Sequence, residues 1–254
     1  MPQRLWTKEE LLLVFNLYFK IPFGKMHHRT PEVIEIAKLI GRTPNAVAMR
    51  LGNFAHHDPY HQARGVKGLS GGARQCQPIW DEYNLNNEEL LFQSEQILAS
   101  YRGLSLEIDH KPEEEISAIG EDKLRVVKTR VNQSLFRQMI LSSYSNTCAI
   151  SGIDIPELLF ASHIIPWSKD EKERLNPSNG ICLSAIYDVA FDKGLIGIKP
   201  DYRIILSQRI IENQTKGYFN KHFKPLSNLK IKLPERYEPQ KEFLEWHLDN
   251  VFRG

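Results

Sequence analysis

The apolar positions of the first 55 residues recur at helical spacing. Between Trp6 and Lys20, Leu11, Val14, Phe15 and Tyr18 mark one face of an amphipathic helix. Thr7 stands at the N-cap, and Glu10, three residues on, completes a capping-box signature. Pro22 ends this helix. Thr30 followed by Pro31 predicts a second helix, running through Ile34, Ala37 and Leu39 to Gly41. Thr43 followed by Pro44 predicts a third, through Val47, Met49 and Leu51 to about Phe54. The last two, joined at Gly41 and Arg42, have the order of a helix-turn-helix pair.

Residues 56–78 combine three histidines with four glycines, Gly65, Gly68, Gly71 and Gly72, and read as a flexible surface loop. Trp80 to Arg102 returns to helical spacing, with Leu90, Leu91, Ile97 and Leu98 apolar. Residues 103–122 are rich in Glu and Asp and read as a linker. Lys123 to Tyr144 is a further helix, striped by Val127, Val131, Leu135, Met139 and Ile140. From Thr147 on, the pattern changes to short strands and turns. Leu195–Ile198 and Arg203–Leu206 flank Pro200-Asp201 as a hairpin, and Pro239 to Phe252 closes the pattern as a helix. The expectation is an α+β protein: a helical, helix-turn-helix-like module at 1–102, an acidic linker at 103–122 and a mixed domain at 123–254.

Charge adds a partner to this picture. Residues 1–75 carry 11 Lys and Arg against 5 Asp and Glu, residues 76–122 carry 2 against 12, and residues 123–254 carry 20 against 14. Two basic segments therefore flank an acidic one, a distribution suited to a polyanion such as nucleic acid. In a helix-turn-helix reading the second helix enters the major groove with its N-terminal end leading. Arg42, Thr43 and Asn45 then lead, and Arg50 reaches a phosphate. Lys128, Arg130 and Arg137 lie off the apolar stripe of their helix and are further DNA-contact candidates. An apolar run long enough to span a membrane is absent, and the first ten residues carry no cleavable leader pattern. Cys76, Cys148 and Cys182 are too few and too far apart for a disulfide framework, which points to a reducing, cytoplasmic setting.

The chemistry concentrates between Cys148 and Asp192. His163 lies in a short apolar run, Asn179 in an Asn-Pro-Ser-Asn-Gly turn, and Asp188 and Asp192 one turn apart on a helical stretch. A neutral histidine near pH 7 can take a proton from an attacking water. Carboxylates on one helix face can hold a hard divalent cation.

The elements Ser-His-Ile-Ile-Pro-Trp-Ser at 162–168 and Asn-Pro-Ser-Asn-Gly at 176–180, followed by Asp188, resemble the HNH endonuclease family, in a restriction-endonuclease-like subgroup. The resemblance implies a strand pair and helix around one metal, the ββα-metal finger, covering about 50 residues of this chain. It makes His163 the general base, Asn179 the brace of the loop that holds it, Asp188 the metal ligand and Asp192 a second ligand found in some members. Mg²⁺ or Mn²⁺ is the implied ion. Ser162 stands where many relatives carry a ligand, which shifts metal binding onto Asp188. Tyr187 stands where relatives often have histidine. The implied activity is cleavage of double-stranded DNA in a restriction-type defence role, with a homodimer as one way to cut both strands. Two alternatives stay open: a DNA-binding protein with an inactive site, and a nuclease that cuts only modified DNA.

Overall fold

The fold comes from a computed structural model that describes residues 4–104, 106 and 121–254, with backbone alone at 121–124. The expected linker, 103–122, lies for the most part outside the described residues. Two compact units divide the chain, Met1–Gln138 and Met139–Gly254.

The first unit is helical. Helix α1, Lys8–Lys20, carries the expected capping box: Glu10 N–H donates to the Thr7 hydroxyl at 3.2 Å, and Thr7 N–H to the Glu10 carboxylate at 3.0 Å. The amphipathic expectation is incomplete, because every residue from Glu10 to Phe19 is buried. A helix enclosed on all sides is a central core element rather than a surface one. Its rings meet those of later helices, with Phe15 at 4.9 Å from Phe54 and 5.7 Å from Trp80. Arg42 makes the buried Glu10 acceptable through an ion pair at 2.7 Å. Burial alone would raise the proton affinity of Glu10, yet the Arg42 bond, the Thr7 N–H and the nearby Arg4 hold its carboxyl below the ordinary range.

Helices α2, Pro31–Leu39, and α3, Pro44–His57, follow the predicted start signals. Gly41 turns between them at φ +63°, and Thr43 caps α3 by accepting from Ala46 N–H at 3.2 Å. Ile34 and Met49, expected in the apolar stripes, are instead exposed. Residues 56–78 are not the expected loose loop. They form α4, Pro59–Ala63, and then fold back on α3, where a Cβ at Gly68 would meet the His56 nitrogen at 2.2 Å. This close approach requires glycine. The helix expected over 80–102 is two helices, α5, Gln77–Leu85, and α6, Asn87–Arg102. Asn86 breaks the run with φ −154° and caps α6 by accepting from Glu89 N–H. Helix α7, Glu121–Ser143, brings Val127 and Val131 against Phe92.

The second unit holds two small antiparallel sheets. Strand β1, Leu159–His163, pairs with β2, Gly180–Ser184, and helix α8, Ala185–Asp192, follows β2 directly. Strands β3, Ile196–Ile198, and β4, Ile204–Leu206, form the expected hairpin, followed by the short helix α9, Gln208–Ile211. Helix α10, Lys241–Asn250, packs on β3, where a Cβ at Gly197 would meet the Leu248 side chain at 2.7 Å. The cysteines are free and buried, Cys76 in the first unit and Cys148 and Cys182 in the second. The Cys148 sulfur accepts backbone N–H groups of Ile150, Ser151 and Ser184. Among the described residues no helix is long and apolar enough to cross a membrane.

Candidate active site

Register in the β1–β2 ladder sets His163 opposite Gly180 and Ser162 opposite Ile181. The next sixteen residues leave β1, loop out and return at Asn179 to start β2. Asn179 closes that loop and is 1% exposed. Its Oδ1 accepts Ile165 N–H at 2.8 Å, and its Nδ2 donates to the carbonyls of Ile165 and Glu173, both at 3.1 Å. Its own carbonyl accepts Ile164 N–H at 2.9 Å. A side chain that is both donor and acceptor can staple two distant stretches of backbone, which a carboxylate cannot.

The staple bears on His163. Glu173 precedes Arg174, and the Arg174 carbonyl accepts the Nε2–H of His163 at 3.0 Å. A carbonyl only accepts, so Nε2 carries the proton and the neutral ring keeps its lone pair on Nδ1. Trp167 meets the imidazole at 5.5 Å and 86°, and Arg174 holds Trp167 through its Nε–H to the Trp167 carbonyl at 2.8 Å. Burial pushes the His163 pKa down to about 4, only partly offset by the Arg174 carbonyl. The ring is therefore neutral around pH 7.

Ser162, the residue before it, is buried and donates its hydroxyl to Asp188 Oδ1 at 2.7 Å. Strand β1 is thereby tied to α8. Burial raises the pKa of Asp188, and the Ser162 hydroxyl offsets this in part. Asp192, one turn further on, is exposed at its surface side but has a partly enclosed carboxyl, whose pKa is also raised, by that desolvation and then by the charge of Asp188, against a smaller pull from Lys193. Among the described residues neither carboxylate forms an ion pair, and no group of three or more His, Cys, Asp or Glu gathers for a metal. Two oxygen donors whose charge is unmet fit a hard divalent cation that completes its shell with water and phosphate. They do not fit a closed structural zinc site.

Tyr187 is buried, and its hydroxyl donates to the His222 carbonyl at 3.3 Å, so it serves packing. A contribution absent from the sequence reading comes from α10. His247, 2% exposed, donates Nε2–H to the Phe191 carbonyl at 3.1 Å and stacks on the Phe191 ring at 3.8 Å. This fastens the end of α8, the helix that carries both aspartates. Its place beside Phe243, Leu244 and Val251 in the expected helix Pro239 to Phe252 was the one available signal.

The DNA-contact candidates all belong to the first unit. Arg42 is committed internally, donating to the Arg4 and Leu5 carbonyls as well as to Glu10. Thr43 is exposed and spends its hydroxyl on the α3 cap, and Asn45 is exposed as the second residue of that helix. Arg50 donates to the Gly72 carbonyl at 2.8 Å and lies over Trp6. Lys128 pairs with Glu89 at 2.6 Å. Arg130 and Arg137 lie on α7, both partly buried.

Comparison with protein families matches residues 148–199 to the HNH endonuclease family. No curated protein matches the chain. The matched stretch spans the turn before β1, the β1–β2 pair, α8 and β3, and it contains His163, Asn179, Asp188 and Asp192.

Proposed function

We propose that this HNH endonuclease segment hydrolyses phosphodiester bonds of double-stranded DNA with Mg²⁺ or Mn²⁺, in a cytoplasmic, restriction-type defence role. The observation that carries the reading is the His163 Nε2–H bond to the Arg174 carbonyl. It leaves Nδ1 as the basic atom of a ring that burial keeps neutral. In the reaction Nδ1 takes a proton from water as the water oxygen attacks phosphorus, and the bond from phosphorus to the 3′ oxygen breaks. The low His163 pKa rises when a phosphate anion lies beside the imidazole, which brings the base nearer its working range. Asp188, with Asp192, would hold a Mg²⁺ or Mn²⁺, which when bound would supply charge to stabilise the phosphate and the leaving oxygen. Ser162 aims Asp188 by fixing one of its oxygens, and Asn179 holds the loop that presents the Arg174 carbonyl.

One such site cuts one strand. A double-strand break then takes two successive events or two protomers, and a homodimer is the second of these. Residues 1–75 of the helical unit, with 11 Lys and Arg against 5 Asp and Glu, supply non-specific attraction, with Thr43, Asn45 and Arg50 as proposed contacts around the start of α3 and Lys128, Arg130 and Arg137 on α7. The committed bonds of Arg42 favour a supporting role there.

A supercoiled plasmid incubated with wild type or His163→Ala, in Mg²⁺, Mn²⁺ or EDTA, tests the reading. Wild type should nick the plasmid with either metal and stop in EDTA. The variant should be slower by roughly 10²–10⁴-fold, the usual contribution of a general base. Failure of wild type on both methylated and unmethylated plasmid would falsify the enzyme reading. Cleavage of the methylated plasmid alone would identify a modification-dependent nuclease.

A further inference from the structure

Directly after Asp192 the chain builds a cleft that the proposed chemistry does not use. It has a volume of about 510 Å³ and is lined by Lys193 from the end of α8, by Arg209 and Asn213 from the α9 region, by Tyr218 and Arg253, and by the apolar Leu195 and Ile210. Three of these side chains are cationic and none is acidic. Lys193, Arg209, Tyr218 and Arg253 are exposed, and among the described residues none of the three cations forms an ion pair. The surrounding sequence has the same sign: residues 193–224 hold seven Lys and Arg against two Asp and Glu.

The cleft is also built rather than incidental. Arg253 N–H donates to the Gly194 carbonyl at 2.9 Å, and Ser207 N–H to the Leu195 carbonyl at 2.9 Å. Asn213 donates its amide to the Arg209 carbonyl at 2.9 Å. Gly194 has φ +67°, and a Cβ there would meet the Val251 carbonyl oxygen at 2.0 Å. The turn after α8 thus admits the chain around Arg253 at a distance only glycine allows.

A concave site of one charge sign concentrates counter-charge, and guanidinium forks match phosphate oxygens in pairs. The volume suits a nucleotide-sized group. We infer that the Lys193–Arg209–Arg253 cleft binds a backbone phosphate of the DNA strand whose neighbouring phosphodiester lies at Asp188, and so sets the register of that strand on the nuclease unit. This rests on the reading that the unit acts on DNA. Lys193 takes the phosphate charge beside the aspartate helix, the two arginines fork its oxygens, and Tyr218 offers a hydroxyl to the sugar-phosphate edge.

The test measures binding of a duplex of about 30 base pairs by the full chain in EDTA, where no strand is cut, across a salt series. Arg209→Ala with Arg253→Ala should weaken binding and flatten the plot of log K against log salt by roughly 1, for the one phosphate contact removed. Arg209→Lys with Arg253→Lys should restore most of the slope. Circular dichroism melting of each variant reports whether it is folded, and the separate Lys193→Gln variant should flatten the slope by about 1 without touching the turn. An unchanged slope in folded variants overturns the subsite while leaving the nuclease reading intact. Absence of duplex binding by wild type defeats the reading beneath it. Calorimetric titration with inorganic phosphate and with a nucleoside monophosphate forms the third arm. Tight uptake of either, lost in the double variant while duplex binding is unchanged, would reassign the cleft to a free anion.

Discussion

Asn179 shows how much one side chain can organise when it is buried. It joins Ile165 to Glu173 across the loop, and the residue after Glu173 orients the imidazole. Asn179→Asp keeps the shape but loses both donors and sets a carboxylate oxygen against two carbonyls. It should cost about 2–4 kcal/mol of stability, as expected for buried acceptors left unpaired, and lower cleavage more than melting alone explains. Urea unfolding beside plasmid cleavage checks this, and an unfolding free energy within about 0.5 kcal/mol of wild type would count against the brace. His163, Asn179 and Asp188 were legible because their spacing is fixed by one short ββα unit. Ser162 was read as a poor ligand in place of a better one. Its bond to Asp188 depends on how α8 returns over β1, which no residue spacing shows. Arg42 looked like a groove residue because charge at a helix-turn boundary carries no mark of the buried Glu10 that claims it.

At the scale of elements, starts and stops were the readable part. Thr7, Thr43 and Pro22 act through bonds within a few residues of themselves. What surrounds an element was less readable: α1 has a helical apolar pattern, and only the later helices decide that all its faces are covered. The segment 56–78 looked loose because glycine signals freedom, whereas Gly68 is there for contact with α3. The clasp of α10 on α8 makes a pH-dependent stability. Burial lowers the His247 pKa to about 4, against a weaker opposing pull from the Phe191 carbonyl, while an unfolded histidine titrates near 6.5. Below 6.5 the unfolded chain binds a proton that the folded chain refuses. The stabilising preference for the neutral ring is therefore complete above pH 6.5, is lost as pH falls, and stops falling near pH 4. The loss reaches roughly 3 kcal/mol in all. His247→Phe removes this dependence, so its stability relative to wild type should improve by about 2 kcal/mol between pH 7.5 and pH 5. Parallel denaturant titrations at the two pH values read this directly, and parallel curves for the two proteins would rule it out.

At the scale of the molecule, each unit has its own interior, aromatic and helical in Met1–Gln138, and built on two strand pairs and three helices in Met139–Gly254. The charge blocks suggested a boundary at the acidic stretch, since composition registers charge. The division into compact units falls inside α7, where an unbroken apolar stripe gives no sign of it. On the proposed function, with one such centre among the described residues of each chain, nicked circles precede linear plasmid, and their lifetime shortens as protein concentration rises if two copies act together. Gel sampling through the reaction checks the order, and linear product with no nicked precursor at any concentration would exclude stepwise cutting. The buried thiols add a built-in clock. Cys76 sits in one interior and Cys148 and Cys182 in the other, so a thiol reagent can react only when the respective interior opens. With Cys76→Ser as the reference, labelling kinetics would time the opening of the Met1–Gln138 unit and of the Met139–Gly254 unit separately, in a single tube and with one reagent.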